Sequence, residues 1–301
     1  MSVRISLSFF LLLATCFKIT AQQNADYLSI LKRASKYNLS DHRDLPQFTY
    51  ESSNDPQLAA LRKKFKLDSV AGFGNETSRL LNLLHWVHNN VHHDGQHESG
   101  INNKNANDII DICRQKQIGV SCGELASVLN DCYLAMGWHS RKVYCFPKDS
   151  LGNDPDSHVI NIVYSGSKRK WLWVDPTNDA YVMDQEGNLL SIEEVRQRLI
   201  DNRPLILNPD ANWNHRSSID KPFYLGYYMA KNLYQLYCPV RSEYDYESYG
   251  KHDTIAYVHL LPLEYGKQKP DRSKRYSEYL KMDVIDYRTN NAALFWKSPE
   301  S

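Results

Sequence analysis

Gln117 to Val143 reads QIGVSCGELASVLNDCYLAMGWHSRKV and places a thiol where a helix should begin. Ser121-Cys122-Gly123-Glu124 has the S-x-x-E form of a capping box, which makes Ser121 the N-cap, Cys122 the first helical residue and Glu124 the reciprocal partner. A cysteine so placed sits at the positive end of the helix dipole. That position favours the thiolate, the nucleophilic form of cysteine. Leu125, Leu129, Cys132 and Met136 follow Cys122 at steps of three and four, so the thiol lies on the stripe that faces the core.

A base and its orienter come from the next elements. His158 to Tyr164 (HVINIVY) and Lys170 to Val174 (KWLWV) are β-rich runs joined by a short polar loop, the pattern of a hairpin. Alternation puts His158, Ile160, Ile162 and Tyr164 on one face of the first run, and Trp171, Trp173 and Asp175 on one face of the second. Pairing Ile160 with Trp173 sets His158 opposite Asp175, with Cβ atoms about 4.5–5.5 Å apart. A slip of two residues would keep both groups on the same face. A helix-borne thiolate, a strand-borne imidazole and an orienting carboxylate make a Cys-His-Asp set for nucleophilic catalysis. Singly, each residue has a blander role, a buried thiol or a satisfied core histidine; the joint spacing favours catalysis. The Cys122 backbone N–H can donate one bond to an oxyanion, and Gln117, with Gln115 behind it, is the candidate for a side-chain donor.

The elements that position these groups change character along the chain. Residues 22–75 read as a helical lead-in interrupted by a polar stretch from Asn38 to Pro56, and 76–205 as the catalytic core. Within it, a helix from Ser78 to about Asp94 and a short one around Asp108 to Arg114 precede the thiol. A strand from Arg141 to Phe146, the hairpin and a helix entered through Ser191 follow it. Residues 206–301 hold most of the tyrosines, 13 of the 20 lying after Trp213, and form a β-containing extension. Those tyrosines suit half-buried sheet surface rather than a groove lining.

Composition narrows the partners. Lys and Arg number 36 against 35 Asp and Glu, interleaved along 301 residues, so no basic footprint for nucleic acid exists. Residues 1–21 carry one early Arg4 and an apolar run from about Ile5 to Phe17, the pattern of a cleaved export signal. This predicts a secreted or periplasmic chain that does not span the membrane, with a lipoprotein anchor through Cys16 as the rival reading. Removal of the signal leaves Cys113, Cys122, Cys132, Cys145 and Cys238, an odd number that leaves at least one thiol unpaired within the chain.

Two clusters suggest metals. His85, His88 and His92 fall at i, i+3 and i+7 of one helix, followed by His93 and His97, but without the ligands that would complete a set they read as solvated or helix-capping. Asp154 and Asp156 precede His158 without the Gly and Glu of a calcium loop and read as a polar rim. No metal and no cofactor are expected.

G-V-S-C-G-E-L-A, then G-W-H-S-R-K-V, S-H-V-I-N-I-V-Y and K-W-L-W-V-D-P-T, together resemble the transglutaminase-like superfamily over about Leu80 to Asn178. The resemblance implies an α+β, papain-like fold, with a nucleophile helix packed on an antiparallel sheet. It makes Cys122 the nucleophile, His158 the general base and acid, and Asp175 its orienter. Ile160 departs from the pattern, since many relatives carry an aromatic residue there. The expected chemistry is attack on the amide of a protein, peptide or glycoprotein, with hydrolysis of the resulting thioester. The alternatives are crosslinking by transfer to an amine, or a non-catalytic binding protein that retains the fold.

Overall fold

The structure is a computed structural model, and residues 27–148 and 156–299 are those it describes; the export signal with Cys16, and Asp154, lie outside them. A helical segment at 27–33 precedes α1 (Pro56–Lys64), α2 (Leu67–Ala71), α3 (Glu76–Asn90), α4 (Ala106–Lys116) and α5 (Cys122–Ala135). Then come β1 (Ser140–Phe146), β2 (His158–Ser165), β3 (Lys170–Val174), α6 (Ile192–Ile200), a π-helix (Pro222–Met229), β4 (Gln235–Pro239), β5 (Thr254–Leu260), β6 (Arg272–Ser277) and β7 (Met282–Thr289).

Helix α5 begins where the capping box requires. The Glu124 N–H donates to Ser121 Oγ (3.3 Å) and the Ser121 N–H donates to Glu124 Oε2 (2.9 Å). Packing then holds the helix, because Leu125, Val128 and Leu129 are fully buried. Each such burial is worth about 1.5–3 kcal/mol, against about 1 kcal/mol for a cap. The cap's main work is to fix where the helix starts, and hence where Cys122 sits.

Seven strands form one sheet in the order β6-β7-β5-β4-β1-β2-β3. Neighbours are antiparallel except β5 and β7, which run parallel. Strands from the tyrosine-rich segment thus continue the core sheet without a break, β4 pairing directly with β1. Helix α5 lies over β1 and β2, and the apolar cluster on that side holds Val163, Leu172 and Val174 together with α3, α4 and α5. The opposite face, with Ile160, Ile162, Trp171 and Trp173, packs on Leu31, α6, the π-helix and Phe295.

One expectation changes here. In β2 and β3 the register sets Ile162 opposite Trp173 and Ser165 opposite Lys170, a slip of two residues from the pairing of Ile160 with Trp173. The turn is a four-residue loop whose Arg169 has φ 51°. The carboxylate of Glu76 clamps it by accepting from Gly166 N (3.0 Å), Ser167 N (2.9 Å) and Ser165 Oγ (2.6 Å). In addition, α5 packs on the face opposite to His158, since Asn161 Nδ2 donates to Ala126 O of the helix (2.9 Å). Both faces of β2 are apolar and buried, so alternation could not tell which one carries the helix. His158 is the first residue of β2, and at that end of the strand its imidazole reaches the tip of α5.

Candidate active site

Cys122, His158 and Asp175 come together at the start of α5. Cys122 is half-buried, while His158 and Asp175 are buried. His158 Nε2 and Asp175 Oδ2 lie 2.7 Å apart, which leaves the Nδ1 edge of His158 to face the cleft that it lines together with Cys122. The two-residue slip makes His158 and Asp175 diagonal rather than direct neighbours, and they still share a face.

Asp175 is held by many donors. Its Oδ2 also accepts from Tyr224 Oη (2.6 Å) and Asn178 Nδ2 (2.9 Å), and its Oδ1 accepts from Thr177 N (2.9 Å). Burial alone would raise its pKa, but the imidazolium charge and these bonds keep it below the ordinary value, so it stays a carboxylate. The turn carrying it is tied to α3 by the histidines that the sequence suggested were solvated or capping. His85 Nδ1 bonds Asp179 Oδ1 (2.6 Å), and His88 Nδ1 and Nε2 bond Pro176 O (3.0 Å) and Asn212 Oδ1 (2.9 Å). Their helical spacing is that of a face packed on the Asp-Pro-Thr turn. Among the described residues no group of three or more His, Cys, Asp or Glu side chains could hold a metal ion.

The ion-pair state follows from the same geometry. Burial works to raise the Cys122 pKa, yet the neighbouring imidazoles, His158 first and then His93, bring it down to about 6. Burial works to lower that of His158, and Asp175 and the thiolate raise it to about 10. The resting pair is therefore thiolate and imidazolium. Sulfur is nucleophilic above the lower of these values, and the imidazolium proton needed by a leaving amine is present below the upper one. A plot of kcat/KM against pH should thus be a broad bell with limbs near 6 and 10, values that belong to the coupled pair. A single rise near 9.0, the ordinary thiol value, would show that Cys122 and His158 do not interact.

Gln117 is not placed to serve the site. It caps the C-terminus of α4 with φ 53°, is exposed, and turns its Nε2 back to Arg114 O (2.7 Å). Gln115 is likewise exposed on α4. His93 stands in the cleft instead, which sequence reasoning missed by reading it as part of a helix end. Its backbone lies beside Val120 in a parallel bridge, two residues before Cys122. The only local hint was the histidine's nearness to the end of α3.

The thiol sits at the junction of two cavities. One, of about 970 Å³, is walled by His93, His158, Trp213, Phe223, Tyr227, Tyr228 and Lys231; the other, of about 350 Å³, by Tyr144, Phe146, Tyr237, Tyr257 and Tyr279, and both include Ser121, Cys122 and Ser157. Several tyrosines of the C-terminal segment therefore line grooves, contrary to the expectation of plain sheet surface. The π-helix supplies one wall of the first groove, and its Tyr228 ring meets His158 edge-on at 5.3 Å. In the second, Tyr237 stacks on Tyr144 (4.5 Å) and Phe146 (5.3 Å).

All five cysteines of the described residues are free, and Cys113, Cys132, Cys145 and Cys238 are buried. No helix among the described residues is long and apolar enough to cross a membrane.

No curated protein matches the chain at a significant level. A solved structure from Cytophaga hutchinsonii, described as a candidate cysteine protease, is similar at 18% identity and a TM-score of 0.30, over 44% of this chain and 40% of that one. The chain thus spans about two fifths of that protein. The model of the transglutaminase-like superfamily matches residues 63–176. That span contains Cys122, His158 and Asp175, and over it the chain is similar to the transglutaminase-like superfamily.

Proposed function

We propose that this chain is an exported hydrolase that cleaves an amide bond in a protein, peptide or glycoprotein through a Cys122 thioester. The observation that carries this reading is the Cys122 thiol at the first turn of α5, sharing a cleft with a His158 whose Nε2 lies 2.7 Å from Asp175 Oδ2. The sulfur attacks the carbonyl carbon, the C–S bond forms, and the carbonyl π pair moves to oxygen. Collapse of this oxyanion breaks the C–N bond, the amine leaving with the proton from His158, and a thioester remains. His158, now neutral, takes a proton from water as it attacks the thioester, and the acid departs with the thiolate restored.

Hydrolysis is favoured over transfer because the larger cleft is bordered by exposed Asp156, Ser217 and Asp220, a polar rim that brings water to the thioester. Trp213, Phe223 and Tyr227 offer flat faces to a peptide or to a sugar-bearing amide. One feature supports a second reading. The smaller cavity reaches Cys122 from another side and would give an amine its own approach, as crosslinking needs. Labelled casein incubated with and without a labelled primary amine separates them: hydrolysis releases products and leaves the amine free, whereas amine found in casein assigns transfer. Neither product from a chain whose Cys122 still alkylates would assign a non-catalytic binding role. Export rests on residues 1–21 alone, and fractionation of cells expressing the full chain tests it.

A further inference from the structure

We propose that His93 is a catalytic residue, its Nε2–H being the side-chain donor that, with the Cys122 backbone N–H, holds the oxyanion of the tetrahedral intermediate. This rests on the amide-attacking reaction proposed above and assigns a group that reaction needs.

The placement of His93 is built by three separate contacts. After α3 ends, the chain runs beside the strand entering α5, Asp94 N donating to Val120 O (2.7 Å) and Val120 N to His92 O (2.9 Å). One side chain from the C-terminal segment then clamps both main-chain groups of His93. Its N–H donates to Asn214 Oδ1 (2.8 Å), and its carbonyl accepts from Asn214 Nδ2 (2.9 Å). The adjacent Trp213 fixes the ring, its indole Nε1 donating to His93 Nδ1 at 3.0 Å.

That last bond decides the chemistry. An indole N–H is a donor only, so Nδ1 must present its lone pair, and the ring's proton sits on Nε2. With Nδ1 engaged by Trp213, Nε2 is the edge that His93 has left for the cleft it lines together with Cys122. Position 95 keeps this edge open, since a Cβ on Gly95 would lie 3.3 Å from His93 Nε2. A donor in the cleft beside the sulfur is within reach of the carbonyl oxygen once the C–S bond forms, because the negative charge moves by two bonds from sulfur to oxygen. The proton is shared and not transferred. Anchored on both sides, the donor needs no reorganisation as the charge arrives. Trp213 and Asn214 act through His93 and are positioning residues.

Two reagents tell this role from a structural one. p-Nitrophenyl acetate acylates Cys122 through a tetrahedral oxyanion and releases p-nitrophenolate; iodoacetamide alkylates it by displacing iodide at a saturated carbon, with no oxyanion. Both rates are taken at their high-pH plateaus on the full chain, so that the thiolate fraction cancels. His93→Ala should lower the ratio of acylation to alkylation roughly 10²- to 10³-fold. His93→Gln, which keeps an N–H donor, should recover part of the loss. Trp213→Phe, which frees the tautomer, should lower the ratio by roughly fivefold. An unchanged ratio in His93→Ala, or equal falls in both rates, overturns the assignment. If His93→Ala does not fold, an unchanged ratio in both His93→Gln and Trp213→Phe overturns it. A wild-type chain that alkylates but is not acylated overturns it as well. Because the ester reports acylation alone, a wild type inert on casein whose ratio falls in His93→Ala would remove the hydrolase reading and leave this assignment in place.

Discussion

Cys122→Ala should lose all amide turnover while its melting temperature stays close to that of the parent. The thiol is the only group that can carry the acyl chain in the proposed reaction, so no partial activity is expected from the rest of the site. Little stability goes with it, because Cys122 is half-buried at the first turn of α5 and Ala is the better helix former there. The parent chain should show the same identity by labelling. Iodoacetamide at neutral pH should modify Cys122 first, since burial pushes Cys113 up to about 11 and Cys238 up to about 12, and raises Cys132 and Cys145 well above the ordinary range. Peptide mapping of the alkylated native protein reads the result. Modification of Cys132 or Cys145 ahead of Cys122, or an Ala variant that still cleaves amides, would place the chemistry elsewhere.

Asp175→Asn should lower turnover by at least roughly tenfold, and by up to about 10⁴-fold if the wrong histidine tautomer dominates as in serine triads. The carboxylate accepts from His158, Tyr224, Asn178 and the Thr177 N–H at once. An amide in its place can present NH₂ to His158 Nε2, which then holds a lone pair there and the proton on Nδ1. In that tautomer the ring cannot take the thiol proton. KM should change little, since neither group meets the substrate before reaction. His158→Ala should fall further, and its Cys122 should need a higher pH to alkylate because the imidazolium is gone. Asp179→Asn is the control: its carboxylate bonds the half-exposed His85, so most turnover should remain. Full turnover in Asp175→Asn together with its loss in Asp179→Asn would reassign the orienting carboxylate.

What could be read from residue order was encoded within a few positions. Ser121 and Glu124 are three apart and cap each other, so the helix start and the place of Cys122 on it needed no distant partner. Ser191 and Glu194 cap α6 in the same way. Strand alternation likewise placed His158 and Asp175 on one face, and it survived the two-residue slip because side chains repeat with period two. The slip itself depended on Glu76, which lies 89 positions before Ser165 in the chain and clamps the turn that sets the register. The side of the sheet that carries α5 was also hidden, since Ile160 and Val163 are equally apolar and both faces of β2 are buried.

The cleft is the most long-range feature. His93 enters it because Trp213 and Asn214, 120 and 121 positions away, hold its ring and backbone. Tyr224 reaches Asp175 from a π-helix 49 positions further on. A polar residue near a helix end has the same local surroundings whether it faces solvent or a cleft. Only the closing of those long loops, driven by burial of both sheet faces, separates the two outcomes.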